Sequence, residues 1–343
     1  AVAGTNTLTL PAETGTLATQ NVVYNHLGMR NLIINGDMRM AQRGTDAVVP
    51  TNFPVDRFRI VGNKASKFTA QQSTDVPTGQ GFVNSIVLTS SSAYTEASGD
   101  YFLLQHRFEG NNVDQLHFGT ANARTVTVSF WAKSSLTGTF AGALRDGGSY
   151  STSYIFEYTI SSADTWEYKT VTITGATSGT WLSGVNVGAE LSWALGGGSG
   201  FDGTAGAWQS TNDFITSSAN RLVGTSGATL YITGAQLEVG STATPFEHLQ
   251  YGQQLSLCER YYQIASASAR YYSADGYWGL GYVHKVEMRD TPTIGTIFGG
   301  NNSLPSTFQG IIKANTNQTG VQWQGAVGTY YTYGSNLPLS AEV

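Results

Sequence analysis

The stretch VTVSFWAKSS, residues 126 to 135, alternates with a period of two: Val126, Val128, Phe130 and Ala132 fall on one side, Thr127, Ser129, Trp131 and Lys133 on the other. Successive side chains of an extended chain point to opposite faces, so the segment reads as a strand with one buried and one outward face. The same pattern recurs at residues 168 to 174, where Val171 and Ile173 oppose Tyr168, Thr170, Thr172 and Thr174. In residues 185 to 193, Val185, Val187, Ala189, Leu191 and Trp193 oppose Asn186, Gly188, Glu190 and Ser192. Short strands separated by Gly, Ser, Asn and Asp clusters predict a sandwich or jelly roll over residues 31 to about 250.

Composition agrees. The 343 residues are long enough for more than one core, 40% are hydrophobic, and the 12% that are charged fall to about half the usual share. The 41 glycines and abundant Thr, Tyr and Val suit pleated sheets and tight turns rather than long helices. A net charge of −5, with Lys and Arg scattered singly along the chain, supplies no basic stripe for phosphates, so no nucleic-acid partner is expected. There is no run approaching the roughly 18 apolar residues of a membrane span, so no membrane insertion is expected. Cys258 is the single cysteine, which rules out an intrachain disulfide and leaves packing or oligomerisation to stabilise the chain.

Two phrases bracket the predicted sandwich, NLIINGDMRMAQRGT at 31 to 45 and LYITGAQLEVGSTATPF at 230 to 246. With VTVSFWAKSS and TWEYKTVTITG at 165 to 175, they closely resemble the jelly-roll module of bacteriophage tail-fibre and receptor-binding proteins. TLTLPAETGTLA at 7 to 18, VEMRDTPTI at 286 to 294 and the ending LPLSAEV resemble further parts of the same proteins. The resemblance implies an all-β chain in four parts. Residues 1–30, including Val22, Val23, Leu27 and Met29, form a short connector to an upstream shaft, and 31–250 a jelly-roll β-sandwich like a carbohydrate-binding module. Residues 251–262 form a short helical linker, on the spacing of Leu255, Cys258 and Tyr262, and 263–343 a small C-terminal β domain at the distal tip. It also implies a natural C-terminus at Val343, a homotrimer, other phage tail proteins as partners, location in the virion tail fibre, and host surface polysaccharide or glycan as ligand.

Catalytic motifs do not compete with this reading. Gly198, Gly200 and Gly203 satisfy G-x-G-x-x-G, but no helix pattern follows and GGGSGFDG reads as a flexible loop. The histidines 26, 106, 117, 248 and 284 lack metal-ligand spacing, and no zinc or other cofactor is expected. Asp37, Asp100, Glu109 and Asp114 are candidate calcium ligands, without an EF-hand loop to support them. A glycosidase needs two facing carboxylates, which a sequence can neither show nor exclude. The expectation is a protein that is not an enzyme, with a capsule depolymerase as one rival and a purely structural virion component, fibre connector or head decoration, as the other.

Sugars are recognised by rings lying against the apolar face of a pyranose while amides and carboxylates meet its hydroxyls. Trp131, sent to the polar face of its strand, is the first candidate platform. Trp166 and Tyr168 are in phase with each other, and Asn186 and Glu190 are expected to complete the groove. Taken singly, each ring is more often framework, a role also expected of Trp181 and Trp208, and Trp193 should be core. A second aromatic set, including Tyr277 and Trp278, belongs to the terminal domain, where Tyr and Trp suit subunit or receptor contacts.

Overall fold

A computed structural model describes residues 29–272, 277–294, 298–299, 307–314, 318–324 and 330–342. Nearly all of the expected N-terminal connector, residues 1–28, lies outside the described residues. The chain folds as an all-β protein built on a two-sheet sandwich. Its strands are β1 (Phe58–Gly62), β2 (Phe68–Ser73), β3 (Ser85–Ser90), β4 (Tyr101–Glu109), β5 (Val126–Ser134), β6 (Gly138–Asp146), β7 (Ser153–Ile160), β8 (Glu167–Ile173), β9 (Val187–Gly197), β10 (Trp208–Gln209) and β11 (Thr229–Val239). One sheet has the antiparallel order β1-β4-β9-β6-β7-β10 and the other β2-β3-β11-β5-β8.

Alternation places the core between them. Val126, Val128, Phe130 and Ala132 of β5 are fully buried and face Leu191 and Trp193 of β9 in one continuous cluster. The Phe130 and Trp193 rings meet edge to face at 5.5 Å, a geometry worth about 1 kcal/mol beyond the area it buries. At one end Trp181 and Trp208 pack edge to face at 5.6 Å, with Phe118 4.7 Å from Trp181. Both tryptophans are therefore framework.

The two bracketing phrases are physically joined. Leu32 donates its N–H to Leu237 O at 2.9 Å, and Ala235 donates to Gly36 O at 2.9 Å. The Asn31 side-chain oxygen accepts from Ile33 and Leu237, while its amide donates to Ala235 O. A short, polar side chain that satisfies three backbone groups closes the sandwich where the first and last segments meet.

A helix follows at Tyr251–Glu259, and then strands β12 (Tyr262–Tyr272), β13 (Tyr277–Val283), β14 (Thr293–Ile294), β15 (Phe298–Gly299), β16 (Thr307–Ala314), β17 (Gln318–Gln324) and β18 (Tyr330–Ser340). These form one sheet in the order β12-β18-β14, with β15 also on β18, and another in the order β13-β17-β16. Their root is tied to the sandwich by buried polar contacts. Tyr261, wholly buried, donates its hydroxyl to Glu109 at 2.9 Å and lies 3.5 Å beneath the Arg57 guanidinium, which pairs with Glu342.

Candidate functional site

Each sheet of the sandwich carries a cleft on its outer face. On the five-stranded sheet, Trp131 of β5 is registered with Thr233 of β11 on one side and with Tyr168 of β8 on the other. The Trp131 and Tyr168 rings are 5.4 Å apart at 45°, and Tyr168 is 43% exposed. They form the floor of a cleft of about 470 Å³ that is also lined by Gln80, Phe82, Gly234, Thr244, Pro245, Phe246 and His248.

The wall of this cleft is three rings in mutual contact: Phe82 lies 5.1 Å from Phe246 and 5.4 Å from His248, and Phe246 lies 4.9 Å from His248. It stands on a bulge in β11, where the register shifts between Thr233 and Gln236. Gly234 occupies that bulge at φ +61°, and a Cβ there would sit 2.5 Å from Phe82 Cζ. Glycine is thus required twice over, by its backbone angle and by the ring against it. The loop behind the wall is held by Thr244, whose N–H and hydroxyl donate to Glu238 at 2.8 and 2.7 Å, and by Glu247, whose N–H donates to Gln236 at 2.9 Å.

Trp166 lies one step along the same face. Its N–H donates to Asp75 at 3.0 Å, and its ring meets Tyr231 at 6.1 Å. Lys133 sits 4.3 Å from the Tyr231 ring and pairs with Asp75. Although partial burial opposes it, the Lys133 and Trp166 donors hold the Asp75 carboxyl below its ordinary range. Trp166 is therefore a supported neighbour of the cleft and does not line it.

Asn186 and Glu190 are not in this groove. The outward reading of Val185 to Trp193 placed them beside Trp131, but β9 pairs with β4 and β6 in the opposite sheet. Asn186 is exposed just before β9, with its amide on Ser183 O at 3.0 Å. Glu190 and Ser192 are wholly buried, because the segment following β9 folds back across that face and packs Phe201, Phe214, Ile215 and Ala219 on Leu103, Ala141, Ala143, Ile155 and Ala194. The glycine-rich run that starts this segment is pinned, not flexible: Gly198 donates to Asp100 O at 2.9 Å, and a Cβ on it would fall 1.8 Å from Ala97 O. Tyr277 and Trp278 are registered with Gln324 and Trp323 across β13 and β17, and their side chains lie outside the described residues.

The cleft on the six-stranded sheet is built around Glu190. Its volume is about 350 Å³, and its lining includes Arg59, Tyr101, Gln105, Arg107, Arg145, Tyr150, Phe201, Asn212 and Phe214. Glu190 has Arg107 registered opposite it on β4 and Arg145 opposite it on β6. Both arginines pair with its carboxylate, Arg107 Nε at 3.1 Å, and Gln105 donates to it at 2.7 Å. Burial alone would raise the pKa of Glu190, but Arg145 and Arg107 more than offset that and hold the carboxyl below its ordinary range. Burial first, and the Glu190 charge second, push the Tyr150 phenol up to about 12.

Sequence reasoning missed Phe82, Phe246 and His248, and it missed the convergence of arginines that are isolated along the chain. Among the described residues no group of three or more His, Cys, Asp or Glu is placed to hold a metal ion. Two of the four carboxylates considered for calcium are engaged elsewhere: Asp100 accepts from Tyr94 at 2.6 Å, and Glu109 from Arg260 at 2.6 Å. No helix among the described residues is long and apolar enough to cross a membrane.

The fold defines a class, the antiparallel two-sheet jelly-roll β-sandwich. No family model matches the chain, and no curated protein matches it at a significant level. Among solved structures, a carbohydrate-binding module of family 4 is similar at a TM-score of 0.31 and 14% identity, over 61% of this chain and 99% of that one. The family 22 xylan-binding domain from Paenibacillus barcinonensis is similar at a TM-score of 0.31 and 8% identity, over 62% of this chain and 96% of that one. The enzymatically active domain of tailspike protein 4 of bacteriophage CBA120 is similar at a TM-score of 0.35 and 14% identity, over 62% of this chain. This chain spans 22% of that tailspike domain.

Proposed function

We propose that this chain is the distal part of a virion tail fibre and that it binds host cell-surface glycan without cleaving it. The observation that carries the reading is the cleft on the five-stranded sheet, with Trp131 and Tyr168 as its floor and Phe82, Phe246 and His248 as its wall. Two inclined rings offer apolar surface to a pyranose, while Gln80, Thr244 and His248 on the rim can meet its hydroxyls. Hydrolysis needs a second carboxylate facing the first. Among the described residues, the lining of the Trp131 cleft contains none, and that of the opposite cleft contains Glu190 alone, already paired with two arginines. This supports a binder over a depolymerase.

The phrases shared with phage tail-fibre proteins support the virion location and the partnership with other tail proteins. A homotrimer fits the energetics. One shallow sugar site of about millimolar strength is worth about 4 kcal/mol, and linking several raises avidity by roughly 10² to 10⁴.

The test is affinity electrophoresis of the purified protein through gels holding a panel of bacterial polysaccharides. Retardation by at least one of them, and its loss in Trp131→Ala, is expected. Equal mobility of the two proteins on every polysaccharide would refute the reading.

A further inference from the structure

The cleft on the six-stranded sheet has a composition that a neutral sugar does not need. Arg59, Arg107 and Arg145 line it against one carboxylate, Glu190, in a chain whose net charge is −5. Arg107 and Arg145 are neutralised in part by that carboxylate. The Arg59 side chain makes no ion pair or hydrogen bond among the described residues, and its Nε is buried without a partner. It is registered with Gln105, two residues before Arg107, so its charge is added to a site that already holds two guanidinium groups. Burial and the Arg107 charge disfavour a protonated Arg59, and the Glu190 and Glu342 charges offset them only in part.

Two further polar groups belong to the same lining. Gln105 is 3% exposed, and while its amide donates to Glu190, its side-chain oxygen is buried with no partner among the described residues. Arg145 is 5% exposed; its Nη atoms reach Glu190 and Asn212, and its Nε has no partner there. The lining thus sets three guanidinium groups against a single carboxylate, an excess of positive charge that an anionic ligand can meet. Tyr101, Phe201 and Phe214 add apolar surface to the same lining.

We infer that this cleft is a second binding site, separate from the Trp131 cleft, and that its ligand is an acidic saccharide whose sugar carboxylate is taken by Arg59 and Arg145. Guanidinium groups bind carboxylates through charge-assisted, often bidentate hydrogen bonds. The Tyr101, Phe201 and Phe214 rings contact the pyranose. Because the site is on the opposite sheet, it stands or falls apart from the Trp131 cleft.

The experiment is a calorimetric titration of the full chain with a tetramer of galacturonic acid, with a neutral tetramer of galactose, and with inorganic phosphate. The acidic tetramer is expected to bind at least about tenfold more tightly than either alternative, and more weakly as salt rises, as an ion-paired ligand should. Arg59→Gln is expected to lose that preference at an unchanged melting temperature, since the Arg59 side chain makes no hydrogen bond or ion pair among the described residues. Arg59→Lys retains part of it, and Trp131→Ala retains all of it. Equal binding of the acidic and neutral tetramers, phosphate binding as tightly as the uronate, binding of neither tetramer, or an unaltered preference in Arg59→Gln would each overturn the inference.

Discussion

Trp131 and Tyr168 occupy directly registered positions on β5 and β8, and their rings meet at 5.4 Å and 45° on the outer face of the sheet. Cross-strand aromatic pairs stabilise a sheet by about 0.2–1 kcal/mol. Truncating Trp131 should therefore barely affect folding, yet remove the larger part of the cleft floor. Trp131→Ala is expected to weaken glycan binding roughly tenfold to a hundredfold, on the scale of buried aromatic anchors. Its urea midpoint should remain close to that of the parent, and an unchanged dissociation constant would show that the ring does not contact sugar.

The wall of the same cleft depends on Gly234. Gly234→Ala meets Phe82 Cζ at 2.5 Å and forces an alanine to φ +61°, whereas Gly240→Ala, at φ +129°, meets nothing within 4 Å. The Gly234 variant should lose about 1–3 kcal/mol by chemical denaturation and bind glycan more weakly, since Phe82 must move. Gly240→Ala separates the backbone penalty from the steric one, because it bears only the first. If both variants bind glycan equally, the wall is not part of the site.

Glu190 tests the opposite cleft as structure. Glu190→Ala leaves Arg145, 5% exposed, without its charge partner, and should cost about 3–5 kcal/mol of stability. Pairing it with Arg145→Met removes the stranded charge and should recover part of that loss. Urea denaturation of the two variants checks this, and a loss below about 1 kcal/mol in the single variant would mean that the ion pair contributes little.

His106 makes the fold sensitive to acid. It is fully buried, its Nε2 accepts the Ile34 N–H at 3.2 Å, and burial, then the Arg57 charge, depress its pKa well below the ordinary value of 6.5. Above 6.5 both folded and unfolded imidazoles are neutral, so this contribution to stability is fully present. As pH falls below 6.5 the unfolded chain takes a proton that the folded chain refuses, and stability declines by about 1.4 kcal/mol per pH unit. His106→Gln keeps an acceptor for Ile34. The difference in stability between parent and variant should narrow, or reverse, from pH 7 to pH 5, and a constant difference would contradict the account.

Much of the sandwich was legible because its signal is local. Alternation at Val126 to Ser134 and at Tyr168 to Ile173 fixes which side chains face the core, so Trp131 and Tyr168 were assigned outward from the sequence alone. Which strands lie side by side is decided by long-range pairing, and alternation says nothing of it. Glu190 therefore faces outward as read, but from the other sheet. Its burial was also illegible, since it follows from Phe201 and Phe214 folding back over β9. Arg59, Arg107 and Arg145 are isolated in sequence and adjacent in space because β1, β4, β9 and β6 are neighbours. Phe82 and His248 sit in loops with no period to betray them.

The measurement that bears most directly on the central claim is co-sedimentation of the purified protein with host surface polysaccharide, parent beside Trp131→Ala, with reducing ends assayed in the same tubes. The account predicts that the parent sediments with the polysaccharide, that Trp131→Ala does so far less, and that no reducing ends appear in either. New reducing ends would make the protein a depolymerase, and sedimentation that does not depend on Trp131 would remove the cleft from its function.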